Sequence, residues 1–263
     1  MFNLDVHKVA GIIKTVSEQE VLSRFNHLSV SDIDTKNSSE DYVTTADAET
    51  EKRLTSELTA LLPNSLVVGE EAAFKDPEVM NCLKEDKPVW VIDPIDGTMN
   101  FAYGRSEIGV VVALVYKGET VAGWIYNPVF NRMIMGEKNG GAWYEGRRMK
   151  VAEVSEIHRM TGSVGRRVSF KDKRLPQPAW WGSASFGYMM IISGGAHYSA
   201  YRTKVIKPWD HAAGVMLHAE AGGYTAYVNG EMYAPLVGAN HLISAPNKDA
   251  WEYLKENLCA KPL

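Results

Sequence analysis

Cysteine is scarce in this sequence: Cys82 and Cys259 are the only two among 263 residues. They give no Cys/His spacing of the kind that holds zinc. Such sparing use of cysteine favours a reducing compartment. We therefore predict a cytoplasmic protein without a structural zinc site.

Long apolar runs and a strong net charge are also absent. The longest apolar run, residues 108–116, is too short to cross a bilayer. The first residues include Asp5 and His7 and lack the continuous apolar segment of a secretory signal. A formal charge of −4 offers no global attraction to nucleic acid or anionic lipid. We expect no membrane association, and local groups or metal ions would have to attract an anionic substrate.

Several catalytic motifs are missing as well. The sequence contains no G-x-x-x-x-G-K-[ST] phosphate loop, no G-x-G-x-x-G after a strand and no H-E-x-x-H pair. The stretch from Gly182 to Gly187 misses the G-x-S-x-G nucleophile elbow by one residue. These absences argue against a nucleotide-binding loop and against a covalent serine nucleophile.

The remaining composition is ordinary for a globular protein, with 45% hydrophobic and 23% charged residues. The length allows a large core and two sub-domains. Residues 107–144 show the alternation and turn signals of an antiparallel meander. We place a boundary near Lys150. Residues 1–150 would form an N-terminal α+β sub-domain with most candidate ligands, and residues 151–263 an α/β sub-domain that completes the site.

One stretch combines a buried strand with two acids. Residues 90–92 are apolar, Asp93 follows them, Pro94 is predicted to end the strand, and Asp96 and Gly97 lie in the next turn. Like charges this close raise each other's pKa unless a cation lies between them, and Mg²⁺ prefers such oxygen ligands. Alternatively, each aspartate only caps a turn or a helix start, which aspartate does routinely.

Three further acids lie beside the ends of predicted elements. Asp47 is near the start of a predicted helix, Glu70 directly follows a short predicted strand, and Asp210 begins another predicted helix. Helix capping alone explains Asp47 and Asp210. Glu70, however, lies on the same kind of strand end as Asp93 and Asp96, which favours a shared site.

Two stretches in the second half allow two interpretations each. Small residues at positions 182–185 open a predicted helix whose first N–H groups could bind an anion or hydroxyls, although close packing explains them equally well. Residues 166–174 carry five cations in nine residues. Such a run is typical of a solvated loop and less often marks a partner-binding surface.

Four blocks, taken together and in order, resemble the inositol monophosphatase family. They are Asp41-Tyr42-Val43-Thr44-Thr45-Ala46-Asp47, Gly69-Glu70-Glu71, Asp93-Pro94-Ile95-Asp96-Gly97-Thr98 and Trp209-Asp210-His211-Ala212-Ala213-Gly214. The likeness extends over nearly the whole chain. It implies an α+β fold of the layered αβαβα type, usually a homodimer, and Mg²⁺-dependent hydrolysis of a small phosphate monoester.

The resemblance also implies how the acids share two to three Mg²⁺ ions. Glu70, Asp93 and the backbone carbonyl of Ile95 would hold the first ion. Asp93, Asp96 and Asp210 would hold the second. Carboxylates from distant parts of the chain would thus form one anionic pocket that only cations can neutralise.

The expected catalytic residues are Asp47, Glu70 and Thr98. Glu70 and Asp47 would hold a weaker third ion through water. Thr98, together with Asp47, would orient and deprotonate the attacking water, and the N–H groups of Gly97 and Thr98 would bind the phosphate. Metal ions activate water without a covalent intermediate, which agrees with the missing nucleophile motifs.

Substrate contacts are expected from both halves of the chain. The stretch Gly182-Ser183-Ala184 resembles the family's hydroxyl-contacting segment. Asp96 and Asp210 would contact the substrate as well as a metal ion.

The substrate itself is less sharply defined. Family members that act on inositol phosphates carry an acid seven residues before the last metal aspartate, and this chain has Thr203 there, between Arg202 and Lys204. Our first prediction is inositol monophosphate or a related sugar or polyol phosphate. The alternative is a more anionic substrate, such as fructose 1,6-bisphosphate or 3′-phosphoadenosine 5′-phosphate.

A binding role forms a hypothesis of a different class. The resemblance includes bacterial proteins that interact with the transcription machinery, and residues 166–174 would be the first surface to test. Catalysis requires the acids, whereas binding should survive their loss.

Overall fold

A computed structural model describes residues 4–28, 33–35, 42–166, 168–236 and 240–260. Its strands are β1 Ile33–Thr35, β2 Tyr42–Thr44, β3 Leu66–Gly69, β4 Val89–Asp96, β5 Gly109–Tyr116, β6 Glu119–Asn127, β7 Arg132–Glu137, β8 Gly141–Tyr144, β9 Arg147–Arg148, β10 Gly162–Val164, β11 Val168–Phe170, β12 Tyr198–Arg202, β13 Tyr224–Tyr227, β14 His241–Ala245 and β15 Leu258–Ala260. Its helices are α1 Val6–Val16, α2 Thr45–Leu61, α3 Glu70–Lys75, α4 Thr98–Ala102, α5 Ala184–Ile192, α6 Pro208–Glu220 and α7 Lys248–Asn257. None of the helices in these ranges is long and apolar enough to cross a membrane.

A seven-stranded sheet in the order β3-β4-β5-β6-β7-β8-β9 dominates the first half of the chain. β3 and β4 run parallel, and each later pair is antiparallel. In the β5–β6 turn, Lys117 and Gly118 have φ of 52° and 76°, the left-handed geometry that short hairpin turns favour. The predicted antiparallel meander over residues 107–144 is confirmed.

Helices cover both faces of this sheet. Trp90 and Ile92 of β4 pack on the side of α1 and α2, whereas Val89 and Val91 pack on the side of α5 and α6. Alternate residues of one strand therefore enter two different cores. A strand buried on both faces needs apolar side chains in both directions, which explains the continuous apolar run before Asp93.

A second sheet, in the order β10-β12-β14-β13, lies beyond α5 and α6. Ile243 of β14 packs with Trp251 and Leu254 of α7 on one face. Leu242, the neighbouring residue of β14, packs towards Val215 of α6 on the other face. The layers therefore follow the order αβαβα, and the α+β class is confirmed.

The division of the chain near Lys150 stays a prediction. The seven-stranded sheet ends at Arg148, and the second sheet begins at Gly162. However, α5 and α6 come from the second half of the chain and pack on the first sheet. One core thus joins residues 1–150 to residues 151–263.

His218 is a fully buried histidine near the end of α6. The Thr225 hydroxyl donates to Ser244 Oγ at 2.9 Å, so it accepts from Nδ1 of His218, also at 2.9 Å. Burial lowers the pKa of His218 to about 3. Between about pH 6.5 and pH 3, the imidazole therefore stays neutral in the folded protein, whereas the unfolded chain would bind a proton.

His218 should make the fold sensitive to acid. Because the unfolded state binds a proton that the folded state refuses, this contribution to stability is complete above pH ~6.5 and decreases as the pH falls towards 3. His218→Asn keeps an N–H donor but cannot titrate. Between about pH 6 and 5 we expect the free energy of unfolding to fall less steeply in the variant, by roughly 1 kcal/mol per pH unit.

Urea unfolding curves across that range would measure this slope for both proteins. His7→Asn makes the same chemical change at an exposed position and is the matched control. Parallel pH dependences for wild type and His218→Asn would contradict the prediction, whatever their absolute stabilities.

Candidate active site

A β-bulge near the end of β4 brings Asp93 and Asp96 together. Asp93 pairs with Val111 and Asp96 with Gly109, so two residues of β4 lie opposite one residue of β5. In a regular strand, residues three apart face opposite sides, and one extra residue changes this alternation. The prediction that Pro94 ends the strand is wrong. β4 continues to Asp96 because a bulge tolerates a residue without an N–H donor.

Asp210 completes a cluster with these two aspartates. It lies in the first turn of α6, which begins at Pro208. One carboxylate oxygen from each of Asp93, Asp96 and Asp210 lies within 4.8 Å of the other two. Glu70, the first residue of α3, lines the same cavity of about 340 Å³ as Asp96 and Asp210. The acids that the sequence placed at separate element ends are thus neighbours in space.

Burial and mutual repulsion dominate the electrostatics of the cluster. Burial, followed by the charge of Glu70, raises the pKa of both Asp93 and Asp210 well above the usual range. Asp93 is 1% exposed, and its Oδ1 has no hydrogen-bond partner within the described ranges. A buried carboxylate oxygen without a donor, beside two more carboxylates, fits a hard divalent cation.

Asp96 is stabilised by the beginning of α5. The Ser183 hydroxyl donates to its Oδ2, as does the Ser185 N–H at 2.6 Å, and the Ala184 N–H donates to Oδ1 at 3.1 Å. The N–H groups at the start of α5, which the sequence predicted could bind an anion, therefore bind a carboxylate of this chain. A Cβ at Gly109 would lie 2.2 Å from Ser185 Oγ, so only glycine lets α5 approach the strand this closely.

Asp47 and Thr98 form a second polar group, in which Asp47 is buried and Thr98 lines the cavity. Asp47 accepts hydrogen bonds from the Thr44 N–H at 2.8 Å and the Thr44 hydroxyl at 2.6 Å. The Thr98 hydroxyl lies 3.0 Å from the Ile95 carbonyl and 3.4 Å from Asp47 Oδ1. Burial raises the pKa of Asp47 to about 7, against the opposing effect of the Thr44 hydrogen bond. Asp47 can therefore exchange a proton near neutral pH.

Gly97 shapes the turn between β4 and α4. Its φ is +85°, and a Cβ there would lie 2.9 Å from the Glu107 carbonyl oxygen. Glycine is required both by the backbone conformation and by the space. The turn directs residue 98 back towards Ile95 and Asp47.

The structure brings most of the predicted site residues around the one cavity. Its lining includes Glu70, Asp96, Gly97, Thr98, Gly182, Ser183, Ala184, Thr203 and Asp210. Asp47, Asp93 and Ile95 do not line it and lie behind this surface. The Thr203 hydroxyl donates to the Val205 carbonyl at 2.7 Å, and its side chain is exposed.

Sequence reasoning missed several residues of this site. The guanidinium of Arg166 lies 4.5 Å from the centre of the Trp180 ring, and both side chains line the cavity. Arg166 is one of five cations in residues 166–174, and nothing in the sequence indicates that this one lines the cavity. Thr44 could have been found, because a threonine three residues before an acid is the spacing of a capping box.

Comparisons with known proteins agree with this geometry. The model of the inositol monophosphatase family matches residues 5–261. A Thermotoga maritima protein named fructose-1,6-bisphosphatase/inositol-1-monophosphatase is 30% identical over 209 residues, 77% of each chain. Nus factor SuhB of Vibrio cholerae is 26% identical over 245 residues, 85% of this chain and 86% of that protein. A solved structure of a Thermotoga maritima IMPase has a TM-score of 0.80 at 25% identity and covers 95% of each chain.

Removing one charge from the cluster should stabilise the protein when no divalent cation is bound. In EDTA at about pH 8, we expect Asp93→Asn to melt at least ~2 °C above wild type, because an acid whose pKa is raised by folding lowers the free energy of unfolding at every pH above the unfolded-state pKa of about 4. Added Mg²⁺ should raise the melting temperature of wild type and have little effect on the variant.

Thermal melts in EDTA and in excess Mg²⁺ would test both parts. Asp86→Asn, at a side chain that is 74% exposed and ion-paired with Lys117 at 3.6 Å, is the control for the loss of a carboxylate. If Asp93→Asn melts below wild type in EDTA and its melting temperature still rises as much with Mg²⁺, repulsion among the carboxylates does not destabilise the fold.

Proposed function

The chain belongs to the inositol monophosphatase family and is a phosphoric monoester hydrolase, and we propose that it is a Mg²⁺-dependent enzyme for inositol monophosphate or a related sugar or polyol phosphate. The observation that carries the proposal is the cluster of buried Asp93 and Asp96 with half-buried Asp210, in which each residue offers one carboxylate oxygen within 4.8 Å of the others. Oxygen ligands from several carboxylates suit Mg²⁺ better than a softer metal.

The residues that would hold two to three Mg²⁺ ions follow from this arrangement. Glu70, Asp93 and the Ile95 carbonyl are proposed for the first ion, and Asp93, Asp96 and Asp210 for the second. A third ion, held through water by Glu70 and Asp47, extends the proposal. When bound, the ions supply a water of lowered pKa, neutralise phosphoryl oxygens and stabilise the leaving alkoxide.

The chain's own catalytic contribution is proposed at Thr98 and Asp47. The Thr98 hydroxyl bonds to the Ile95 carbonyl at 3.0 Å, which fixes its position beside the cluster. Asp47 Oδ1 lies 3.4 Å from the same hydroxyl, and burial raises the pKa of Asp47 to about 7. When the hydroxyl hydrogen turns from the Ile95 carbonyl to Asp47, Thr98 can pass its proton to Asp47 and take one from the attacking water. The N–H groups of Gly97 and Thr98 are proposed to bind the phosphoryl oxygens.

The leaving group would occupy the part of the cavity formed by residues 180–184 and Thr203. The donors of Ser183 and Ala184 already bind Asp96. Substrate hydroxyls would therefore meet a carboxylate whose position is fixed. A fixed acceptor suits a polyol, which offers several hydroxyl donors.

A more anionic substrate is the second candidate, favoured by the cations around the cavity. Arg166 lines the cavity and stacks on Trp180. Lys204 and Lys207 line an adjoining cavity of about 760 Å³ that shares Glu70, Thr203 and Asp210 with the first. A second phosphate on the substrate could reach these cations, as in fructose 1,6-bisphosphate or 3′-phosphoadenosine 5′-phosphate. The Thermotoga maritima relative carries both a bisphosphatase and an inositol monophosphatase name.

A binding role remains a separate hypothesis, prompted by the likeness to a Nus factor. Within residues 166–174, position 167 lies outside the described residues. Val168–Phe170 pairs with Leu258–Ala260, and Arg174 is ion-paired with Asp172 at 2.7 Å. The transcription-complex contact, the homodimer and the cytoplasmic location all stay predictions.

Thr98→Val tests the proposed path of the proton, because valine keeps the shape and removes the hydroxyl. We expect kcat to fall by on the order of 10²-fold. KM and the dependence on Mg²⁺ should change little, since Thr98 is not a proposed side-chain ligand. Thr59→Val, at a helical threonine whose hydroxyl bonds to the Thr55 carbonyl at 2.7 Å, is the matched control.

Phosphate release from inositol 1-phosphate, fructose 1,6-bisphosphate, 3′-phosphoadenosine 5′-phosphate and histidinol phosphate, with and without Mg²⁺, would provide the measurement. Mg²⁺-dependent release from the first compound supports the main proposal, and preference for either bisphosphorylated compound supports the alternative. A Thr98→Val enzyme with wild-type kcat would remove Thr98 from the mechanism.

A further inference from the structure

Glu51 is a buried carboxylate that neither the metal cluster nor the proton path uses. It lies on α2, one helical turn beyond Asp47, and is 7% exposed. Its Oε2 accepts from the Glu71 N–H at 2.8 Å, and its Oε1 accepts from the Ala72 N–H at 2.9 Å. These are the second and third N–H groups of α3, whose first residue is Glu70. A side chain from a different helix therefore caps α3.

Gly69 precedes α3 and has no side chain that could cap it, so Glu51 takes the place of the usual local cap. A helix is normally capped by the side chain of the residue just before it, and that residue of α3 is Gly69. A Cβ at Gly69 would lie 2.3 Å from Glu51 Cδ and 2.4 Å from its Oε2. The φ of Gly69 is −100°, so glycine is needed here for space and not for its conformation. The Glu51 carboxylate occupies the volume that a local capping residue would fill.

Holding a carboxylate in this place has a cost that simple capping does not explain. Burial raises the pKa of Glu51 to about 7, and the charges of Glu71 and Glu70 act in the same direction against the two N–H bonds. An uncharged cap would satisfy the same donors without adding negative charge near the cluster. The arrangement does have one consequence that a local cap lacks, because α2 carries both Asp47 and Glu51.

We propose that Glu51 is a positioning residue for Glu70, fixing the start of α3 relative to α2 so that Glu70 and Asp47 hold one geometry around the metal site. The inference rests on the proposed Mg²⁺ site and goes beyond it. Asp47 is placed by α2 directly, and Glu70 is placed by the same helix through the two hydrogen bonds of Glu51. Outer partners that orient metal ligands typically change metal affinity about 10–100-fold when they are removed.

Glu51→Gln is the variant that tests this role. The amide keeps the size of the side chain, but its NH₂ group cannot accept one of the two N–H bonds. We expect the Mg²⁺ dissociation constant to rise about tenfold, whereas kcat at saturating Mg²⁺ should stay within about threefold of wild type. Amide hydrogen exchange of a peptide spanning residues 66–76 should become faster.

Calorimetric titration with Mg²⁺ measures the affinity without turnover, and mass spectrometry measures the exchange. Glu49→Gln, on the same helix with its carboxylate 48% exposed and 3.7 Å from Lys52, is the matched control. Should Glu51→Gln fail to fold, Glu51→Asp retains the charge with a shorter reach and should also weaken Mg²⁺ binding. A Glu51 variant that melts earlier yet binds Mg²⁺ with wild-type affinity would overturn the proposal.

The two proposals fail in different ways. If wild type neither binds Mg²⁺ nor releases phosphate from any ester, the proposed function fails and the positioning of a metal ligand fails with it, even if the exchange of residues 66–76 responds to Glu51. If wild type does both and Glu51→Gln matches it in Mg²⁺ affinity, only the positioning role is lost.

Discussion

Negative charge held away from water is the constraint on which the rest of this structure depends. Asp93, Asp96 and Asp210 each place one carboxylate oxygen within 4.8 Å of the others, and Asp93 and Asp96 are buried. Like charges repel more strongly in such surroundings than they do in water. The Asp96 carboxylate is stabilised by hydrogen bonds from three donors at the start of α5. Asp93 keeps an oxygen without a hydrogen-bond partner in the described chain. The carboxylate oxygen without a hydrogen-bond partner therefore belongs to Asp93, the aspartate that would be a ligand of both proposed metal ions.

The N-termini of four helices lie beside these carboxylates and stabilise their negative charge. Asp47 lies in the first turn of α2, Glu70 begins α3, Asp210 lies in the first turn of α6, and Asp96 accepts N–H groups at the start of α5. Each N-terminus carries a partial positive charge that favours a nearby anion. Because α2 belongs to an outer helical layer and α5 and α6 to the central one, the site depends on both layers being packed against the same sheet.

Local patterns predicted the parts of this molecule that depend on local physics. Alternation and turn residues located the meander, and the apolar run before Asp93 located β4. The bulge was missed because Pro94 is a strand breaker in isolation, and only the pairing with β5 shows that the strand continues. The prediction that Asp47, Glu70, Asp93, Asp96 and Asp210 share one site came from the family resemblance and not from their spacing in the sequence. Glu51 was missed since a lone glutamate on a helix normally faces solvent, and the N–H groups it caps lie twenty residues away.

The bulge in β4 also limits how this chain can change in length. Loss of either residue between Asp93 and Asp96 would restore regular alternation, and one carboxylate would turn into an apolar layer beside the sheet. An unpaired buried charge there would cost about 3–5 kcal/mol. Substitutions between the two aspartates can be absorbed by neighbouring side chains, but an insertion or deletion cannot. At this point of the chain, the geometry of the site depends on the number of residues more than on their identity.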